Sequence, residues 1–269
     1  MKKVLGCIRR ACEDFHLIED GDIVAVGVSG GKDSLLLLYA LSLYRKFAPQ
    51  RFELKGLTLT MGLEPFDTSK VAALCEKLGV EYIVRPTEIG RIIFEERHEK
   101  NPCSLCAKMR RGALNDLAKE CGCNKVALGH HFDDVVETIL MGMLYSGKIE
   151  TMMPKLHSKN FEGMELIRPM YMVREADIKA WRDYNHLHFI QCACRFTERC
   201  ATCGGEKGSK RDEMKELIAE LRKRCDTIDM NIFNSVHNIN LKTVIGYHKG
   251  DWSYNFLDDY DEETKKIHN

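Results

Sequence analysis

The sequence predicts an α/β protein built on a parallel sheet, with a helical extension at its C-terminus. Three observations predict it. Short apolar runs alternate with helical patterns of some ten residues, the arrangement of parallel strands joined by right-handed crossovers. The apolar run Ile23 to Val28 passes through Ser29-Gly-Gly-Lys-Asp-Ser34 straight into Leu35-Leu-Leu-Leu-Tyr39, giving strand, tight turn and helix in succession. Two further segments, Thr58 to Met61 and Gly129-His-His131, fall at carboxyl ends of strands, where such sheets bind ligands.

Val4 to Phe15 has apolar residues at helical spacing and predicts an N-terminal helix. Strand Ile23 to Val28 leads to helix Ser34 to Lys46. Strand Phe52 to Thr60, helix Thr68 to Leu78 and strand Glu81 to Arg85 follow. Helix Lys108 to Glu120 precedes the short strand Lys125 to Leu128, which ends at Gly129-His-His131. Asp133 to Tyr145 is helical, Ile167 to Met170 is a short strand, and helix Glu175 to Tyr184 precedes strand His188 to Gln191. Asp212 to Arg224 is a last helix before a tail without clear pattern. Three regions result: an N-terminal helix over 1–20, the sheet domain over 21–191, and a cysteine-containing segment with a helical extension over 192–269.

With 269 residues, 44% of them hydrophobic and 30% charged, the chain fits a soluble globular protein of one large domain with appendages. No apolar run reaches the length of a bilayer span, and Arg9 and Arg10 interrupt any signal-like start, so the reading is cytoplasmic with no membrane partner. Lys plus Arg equals Asp plus Glu at 40 each, so overall charge does not point to nucleic acid. Local charge does, in the clusters Lys108, Arg110, Arg111 and Lys207, Lys210, Arg211, although such tracts also suit a solvated face. Twelve cysteines in a reducing compartment point to metal or redox work rather than disulfides. Cys7, Cys12, Cys75 and Cys225 sit in helical patterns and read as small buried hydrophobes.

Ser29-Gly-Gly-Lys-Asp-Ser34 has the chemistry of an anion cradle. Adjacent glycines let the backbone approach a ligand, the helix start offers free N–H groups, and Lys32, Ser29 and Ser34 add a charge and two hydroxyls. The glycine spacing differs from the Walker loop. Cys103-Ser-Leu-Cys106, next to Lys108, Arg110 and Arg111, suits a metal, an iron–sulfur cluster or a redox pair. Cys192, Cys194, Cys200 and Cys203 form a second group. They suit a structural zinc knuckle, or one of them completes a site begun by Cys103 and Cys106. Gly129-His-His-Phe-Asp-Asp134 offers a carboxylate pair, Asp133 and Asp134, for Mg²⁺ beside ATP phosphates or for a base. The plainer reading makes Asp134 a helix N-cap with Glu137 as its capping-box partner.

These motifs, in this order, resemble the tRNA 2-thiocytidine synthetase family of PP-loop sulfurtransferases, from about Asp20 to Arg211. The carriers are S-G-G-K-D-S, Cys103 to Gly112, Gly129 to Thr138, Leu144-Tyr-Ser-Gly147, Met153-Pro-Lys155 and Ile167-Arg-Pro169. The resemblance implies the adenine-nucleotide alpha-hydrolase-like PP-loop fold. It implies ATP bound by Ser29, Gly30, Gly31, Lys32, Asp33, Ser34, Thr58, Gly129 and His130, with Lys32, Asp33, Asp133 and Asp134 catalytic. It implies Mg²⁺, and a 4Fe–4S cluster on Cys103, Cys106 and a third cysteine. Where the family has a Cys-x-x-Cys pair this chain reads Cys192-Ala-Cys194, while Cys200-Ala-Thr-Cys203 matches better locally. The third ligand therefore stands open among Cys192, Cys194 and Cys200, with Cys192 favoured by its distance from the preceding strand. Cys194, Cys200 and Cys203 are then a candidate zinc group. Lys108, Arg110 and Arg111 would contact RNA. The implied partners are tRNA, a sulfur donor such as a cysteine desulfurase, and a second copy in a homodimer. The implied reaction adenylates a pyrimidine C2 oxygen and replaces it with sulfur, at cytidine 32 of tRNA. Its rivals are a thiolase acting on another tRNA position or another substrate, a ligase of the lysidine-synthetase kind, and a non-enzymatic sensor.

Overall fold

A computed structural model of the chain describes residues 1–62, 67–93, 102–185 and 210–260. Six strands form one sheet in the order β3-β2-β1-β4-β6-β5. β1 (Ile23–Gly27) lies between β2 (Glu53–Leu59) and β4 (Lys125–Ala127), parallel to both. β3 (Glu81–Arg85) continues the parallel set outward from β2, and β6 (Glu165–Ile167) does so from β4. β5 (Lys155–His157) departs from the expected parallel pattern, pairing antiparallel with β6 at the edge.

The central strands are apolar because both their faces are covered. Val24 and Val26 of β1 join the core on one face. There they meet α1 (Lys2–Asp14), α2 (Lys32–Tyr44), α6 (Phe132–Ser146) and α7 (Glu175–Tyr184). Ala25, one residue out of phase, joins Leu57, Val126, Leu117 and Ala118 on the other face. This period of two carries each strand into two cores. α1 enters the first through the stripe Val4, Ile8, Ala11 and Cys12. α3 (Ser69–Leu78) adds Val71 and Cys75. The one-turn α4 (Ile89–Arg91) and the long α5 (Pro102–Glu120) meet through Ile89, Ile93 and Cys106.

The amino ends of the strands are tied by charge. Lys125, almost fully buried, places its Nζ 2.8 Å from Asp22, 3.2 Å from Glu165 and 3.1 Å from the Leu17 carbonyl. Asn124 accepts from the Ile23 amide and donates to Asp22. The carboxyl ends carry the candidate site. The chain runs from β1 outward to β2 and β3, then returns to the other side of β1 as β4. That reversal makes the carboxyl ends of β1 and β4 a topological switch point, where ligands bind in sheets of this kind.

The C-terminal part is more regular than its sequence suggested. α8 (Lys210–Arg224) and α9 (Ile228–Ser235) pack on α6 through Met214, Ile218 and Phe233. Phe233 meets Phe132 with ring centroids 4.9 Å apart and tilted by 35°, and the Arg174 guanidinium lies 4.7 Å over the Phe132 ring. An aromatic pair of this kind adds about 0.5–1.5 kcal/mol beyond the area it buries. Beyond α9, a 3₁₀ turn (Leu241–Thr243) leads to a hairpin, β7 (Gly246–Lys249) and β8 (Trp252–Asn255). The expected strand His188 to Gln191 lies outside the described residues. Among the described residues, no helix is long and apolar enough to cross a membrane.

Candidate nucleotide site

The loop between β1 and α2 is shaped by its own side chains. The Val28 amide donates to the Leu57 carbonyl at 2.7 Å, so the ladder runs one residue past β1. Gly30 then turns with φ +79°, a conformation that favours glycine. Gly31 is the N-cap of α2 and brings no side chain to its first amides, which stay open to an anion. Ser34 Oγ accepts from the Ser29 amide at 3.2 Å and donates to the Gly31 carbonyl at 3.0 Å, closing the loop on itself.

Thr58 was expected to meet ATP. It is buried instead: its hydroxyl donates to the Val28 carbonyl and accepts from Tyr82, both at 2.8 Å. It braces the floor of the loop and has no free face for a ligand. Gly129 forms the opposite wall. A Cβ there would stand 3.1 Å from the Asp33 carbonyl carbon and 3.2 Å from the Ser34 nitrogen. The end of β4 thus approaches the loop as closely as a backbone without side chain can.

Charge is concentrated at the α2 start. Lys32 Nζ lies 2.9 Å from both oxygens of Asp33 and 3.4 Å from Glu175. Burial works against the Lys32 charge, yet the bond to Asp33 and the field of both carboxylates raise its pKa. Burial also works against Glu175, but Lys179 and Lys32 hold its carboxyl at about 2. Glu175 carries no motif of its own and went unnoticed in the sequence. An acid in the first turn of a helix looks like a partner for the helix dipole.

Asp133 and Asp134 begin α6, with His131 as the N-cap. The capping differs by three residues from the arrangement expected, since Asp134 Oδ2 accepts the His131 amide at 3.0 Å and Glu137 takes no part. Both aspartates are fully engaged. Asp133 accepts from the Glu175 amide at 2.7 Å and from Arg222 at 2.8 Å, and the second oxygen of Asp134 accepts from Arg211 at 2.8 Å. They tie α6, α7 and α8 together, each carboxylate oxygen accepting one of these bonds. Glu137 is buried with one oxygen unpaired at 3.6 Å from Arg211, and burial lifts its carboxyl to about 7. Asp33 is a third exposed and meets the Lys32 ammonium through both oxygens. Among the described residues, no three His, Cys, Asp or Glu side chains converge as a metal cage.

His130 accepts at Nδ1 from Arg168 Nε, 3.3 Å away, which leaves the proton on Nε2. Burial and the Arg168 charge bring its pKa down to about 4, so the ring is neutral and presents one N–H donor. His131 is buried with Nδ1 unpaired and Nε2 3.5 Å from Asp134. Arg168 is held by the Met153 carbonyl, and burial with the nearby Arg111 charge lowers its pKa to about 10. Lys108, Arg110 and Arg111 are exposed.

α5 begins at Pro102, six residues before the helix expected there, with proline favoured at a first helical position. Residues 103 and 106 are thus one helical turn apart near a helix start, where thiolates are favoured. Cys106 is buried beside Met61, which follows β2. This donor pair suits an iron–sulfur cluster. Cys192, Cys194, Cys200 and Cys203 lie outside the described residues. Cys12 and Cys75 are buried as expected, Cys7 is half-buried, and Cys225 is exposed against the expectation, 3.3 Å from Thr227 Oγ1.

A family model described as a PP-loop domain matches residues 8–194. A protein of Geobacter sulfurreducens named tRNA-cytidine(32) 2-sulfurtransferase is 36% identical over 239 residues, 88% of this chain and 90% of that one. One of Syntrophotalea carbinolica with the same name is 37% identical over 240 residues, 89% and 88% of the two chains. Among solved structures, the U34-tRNA thiolase NcsA from Methanococcus maripaludis, with its 4Fe–4S cluster, matches with a TM-score of 0.66. It is 24% identical over 91% of this chain and 81% of that one, a likeness of fold. The chain belongs to the PP-loop domain family and, within it, groups with the tRNA-cytidine(32) 2-sulfurtransferases.

Proposed function

We propose that the protein is an ATP-dependent sulfurtransferase that converts cytidine 32 of tRNA to 2-thiocytidine. The carrying observation is the loop Ser29 to Ser34, closed on itself at the sheet edge with Gly129 packed against it, in a chain that pairs this loop with Cys103 and Cys106. The pyrimidine C2 oxygen attacks the α-phosphorus of ATP, and the bond to the β-phosphate oxygen breaks. The first amides of α2 and Lys32 meet the charge that develops on the leaving pyrophosphate. Asp33 takes the Mg²⁺ that accompanies the phosphates. Neutral His130 offers its Nε2–H as a donor beside Gly129. Sulfur then adds at C2, and AMP departs as a phosphate ester where a bare oxygen would leave poorly.

A 4Fe–4S cluster on Cys103, Cys106 and a third thiolate supplies the sulfur-handling chemistry when bound. Lys108, Arg110 and Arg111 take the tRNA backbone, and Arg111 brings that surface to the Arg168 side of the site. A cysteine desulfurase or another sulfide source serves as donor, in the reducing cytoplasm that such thiols require.

The test is mass spectrometry of tRNA nucleosides. Anaerobically reconstituted protein with ATP, Mg²⁺, sulfide and unmodified tRNA should form 2-thiocytidine at position 32, and Lys32→Ala should not. A thiolated uridine, a lysine adduct or no modified nucleoside at all would overturn the reading.

A further inference from the structure

The Lys32 ammonium is shared between two carboxylates, and only one belongs to the loop. Asp33 meets it at 2.9 Å through each oxygen, and Glu175 Oε1 lies 3.4 Å away. Glu175 comes from the first turn of α7 and is held from several sides. Its amide donates to Asp133 at 2.7 Å, and its other oxygen accepts from Lys179 at 2.9 Å. Asp133 is in turn fixed by Arg222, which also bonds Asp229 at 2.9 Å. α7 packs on α2 through Tyr39 and Trp181, with ring centroids 5.9 Å apart. Lys32 and Glu175 are 22% and 19% exposed, so water screens their attraction only in part.

We infer that Glu175 is a positioning residue for Lys32, competing with the phosphate chain for the ammonium and thereby limiting how tightly pyrophosphate is held after ATP is cleaved. The inference rests on the ATP chemistry proposed above. A cation that stabilises a leaving pyrophosphate also retains it as product. Asp33 cannot relieve this while it serves the metal. Glu175 is then the carboxylate still beside the ammonium among the described residues, and its braced backbone keeps it there.

The test compares wild-type protein with Glu175→Gln and Glu175→Asp. Calorimetry with magnesium pyrophosphate measures product affinity, and ATP turnover gives kcat and KM. Glu175→Gln should bind pyrophosphate about tenfold more tightly, the scale of one partly screened charge. Its kcat and its KM for ATP should fall together. Glu175→Asp keeps the charge and should lie near wild type. Glu175→Gln should melt somewhat lower, since Lys32 and Lys179 lose their charged partner, whereas Glu175→Asp should melt near wild type. Weaker or unchanged pyrophosphate binding in Glu175→Gln, with wild type binding normally, would overturn this inference alone. No binding of ATP or pyrophosphate by wild type would overturn the ATP-site reading, and this inference with it.

Discussion

Adding one methyl group at Gly129 should damage nucleotide binding out of proportion to its effect on the fold. The new Cβ of Gly129→Ala would sit 3.1 Å from the Asp33 carbonyl carbon, 3.2 Å from the Ser34 nitrogen and 3.3 Å from Asp33 Cβ. None of these atoms is the end of a flexible side chain. The loop and the end of β4 must therefore separate by a few tenths of an ångström. Overpacking of this kind costs roughly 1–3 kcal/mol. If the loop gives way, as its glycine-rich backbone suggests, the amides at the start of α2 leave the positions that meet phosphate. ATP affinity, measured by calorimetry on the cluster-free protein, should fall about 10- to 100-fold. The melting temperature should fall by a few degrees, at about 2–4 °C per kcal/mol for domains near this size. Unchanged ATP affinity alongside such a drop in melting temperature would show that the close approach serves packing and not the nucleotide.

Three further outcomes are expected. Lys125→Met strips buried Asp22 of its cation and leaves Glu165 to Lys155, and urea unfolding should lose roughly 3–5 kcal/mol; an unchanged midpoint would refute the tie at the strand starts. Glu137 has its carboxyl lifted by burial to about 7, from 4.5 when free, so the native state holds that proton more tightly than the unfolded one. The group costs nothing below pH 4.5, costs more as pH rises to 7, and costs its full amount above. The stability advantage of Glu137→Gln should therefore grow from pH 5 to 7 and level off by pH 8, and a constant difference would contradict the assignment. Cys103→Ala, Cys106→Ala and Cys192→Ser should each lose iron, whereas Cys200→Ser and Cys203→Ser should keep it. Iron lost from Cys200→Ser but kept in Cys192→Ser would move the third ligand to the local Cys-x-x-Cys match.

The sequence made plain whatever depends on contiguous residues. β1, the loop and α2 could be read because a doubly buried parallel strand is uniformly apolar, and because paired glycines before a helix have few other uses. β5 was not legible: three residues, Lys155 to His157, at a sheet edge with half their surface in water leave no period to detect. The ion pairs of Asp133 and Asp134 were not legible for a different reason. Their partners Arg211 and Arg222 lie 77 and 89 residues away, on a helix whose charges look like an ordinary solvated face. Thr58 was taken for a ligand-facing residue because it ends a strand. Only the Tyr82 hydroxyl, arriving from β3, shows that it points into the floor.

The anchoring of α7 and α8 on the same edge changes what the intervening cysteines must do. Glu175 binds the start of α7 to Lys32, and Arg211 binds the start of α8 to Asp134, so the two helices flanking the second cysteine group are both held at this edge. A chain spans at most about 3.3–3.6 Å per residue. Cys192 can thus be drawn no farther from Tyr184 than roughly 30 Å, and Cys203 is bounded in the same way from Lys210. If the third thiolate comes from this part of the chain, as proposed, it would meet Cys103 and Cys106 at an effective concentration set by the length of chain between the anchors, in the millimolar range for short linkers. Loosening either anchor would dilute that thiolate without altering any ligand, so Arg211→Ala belongs with the cysteine variants when cluster retention is measured.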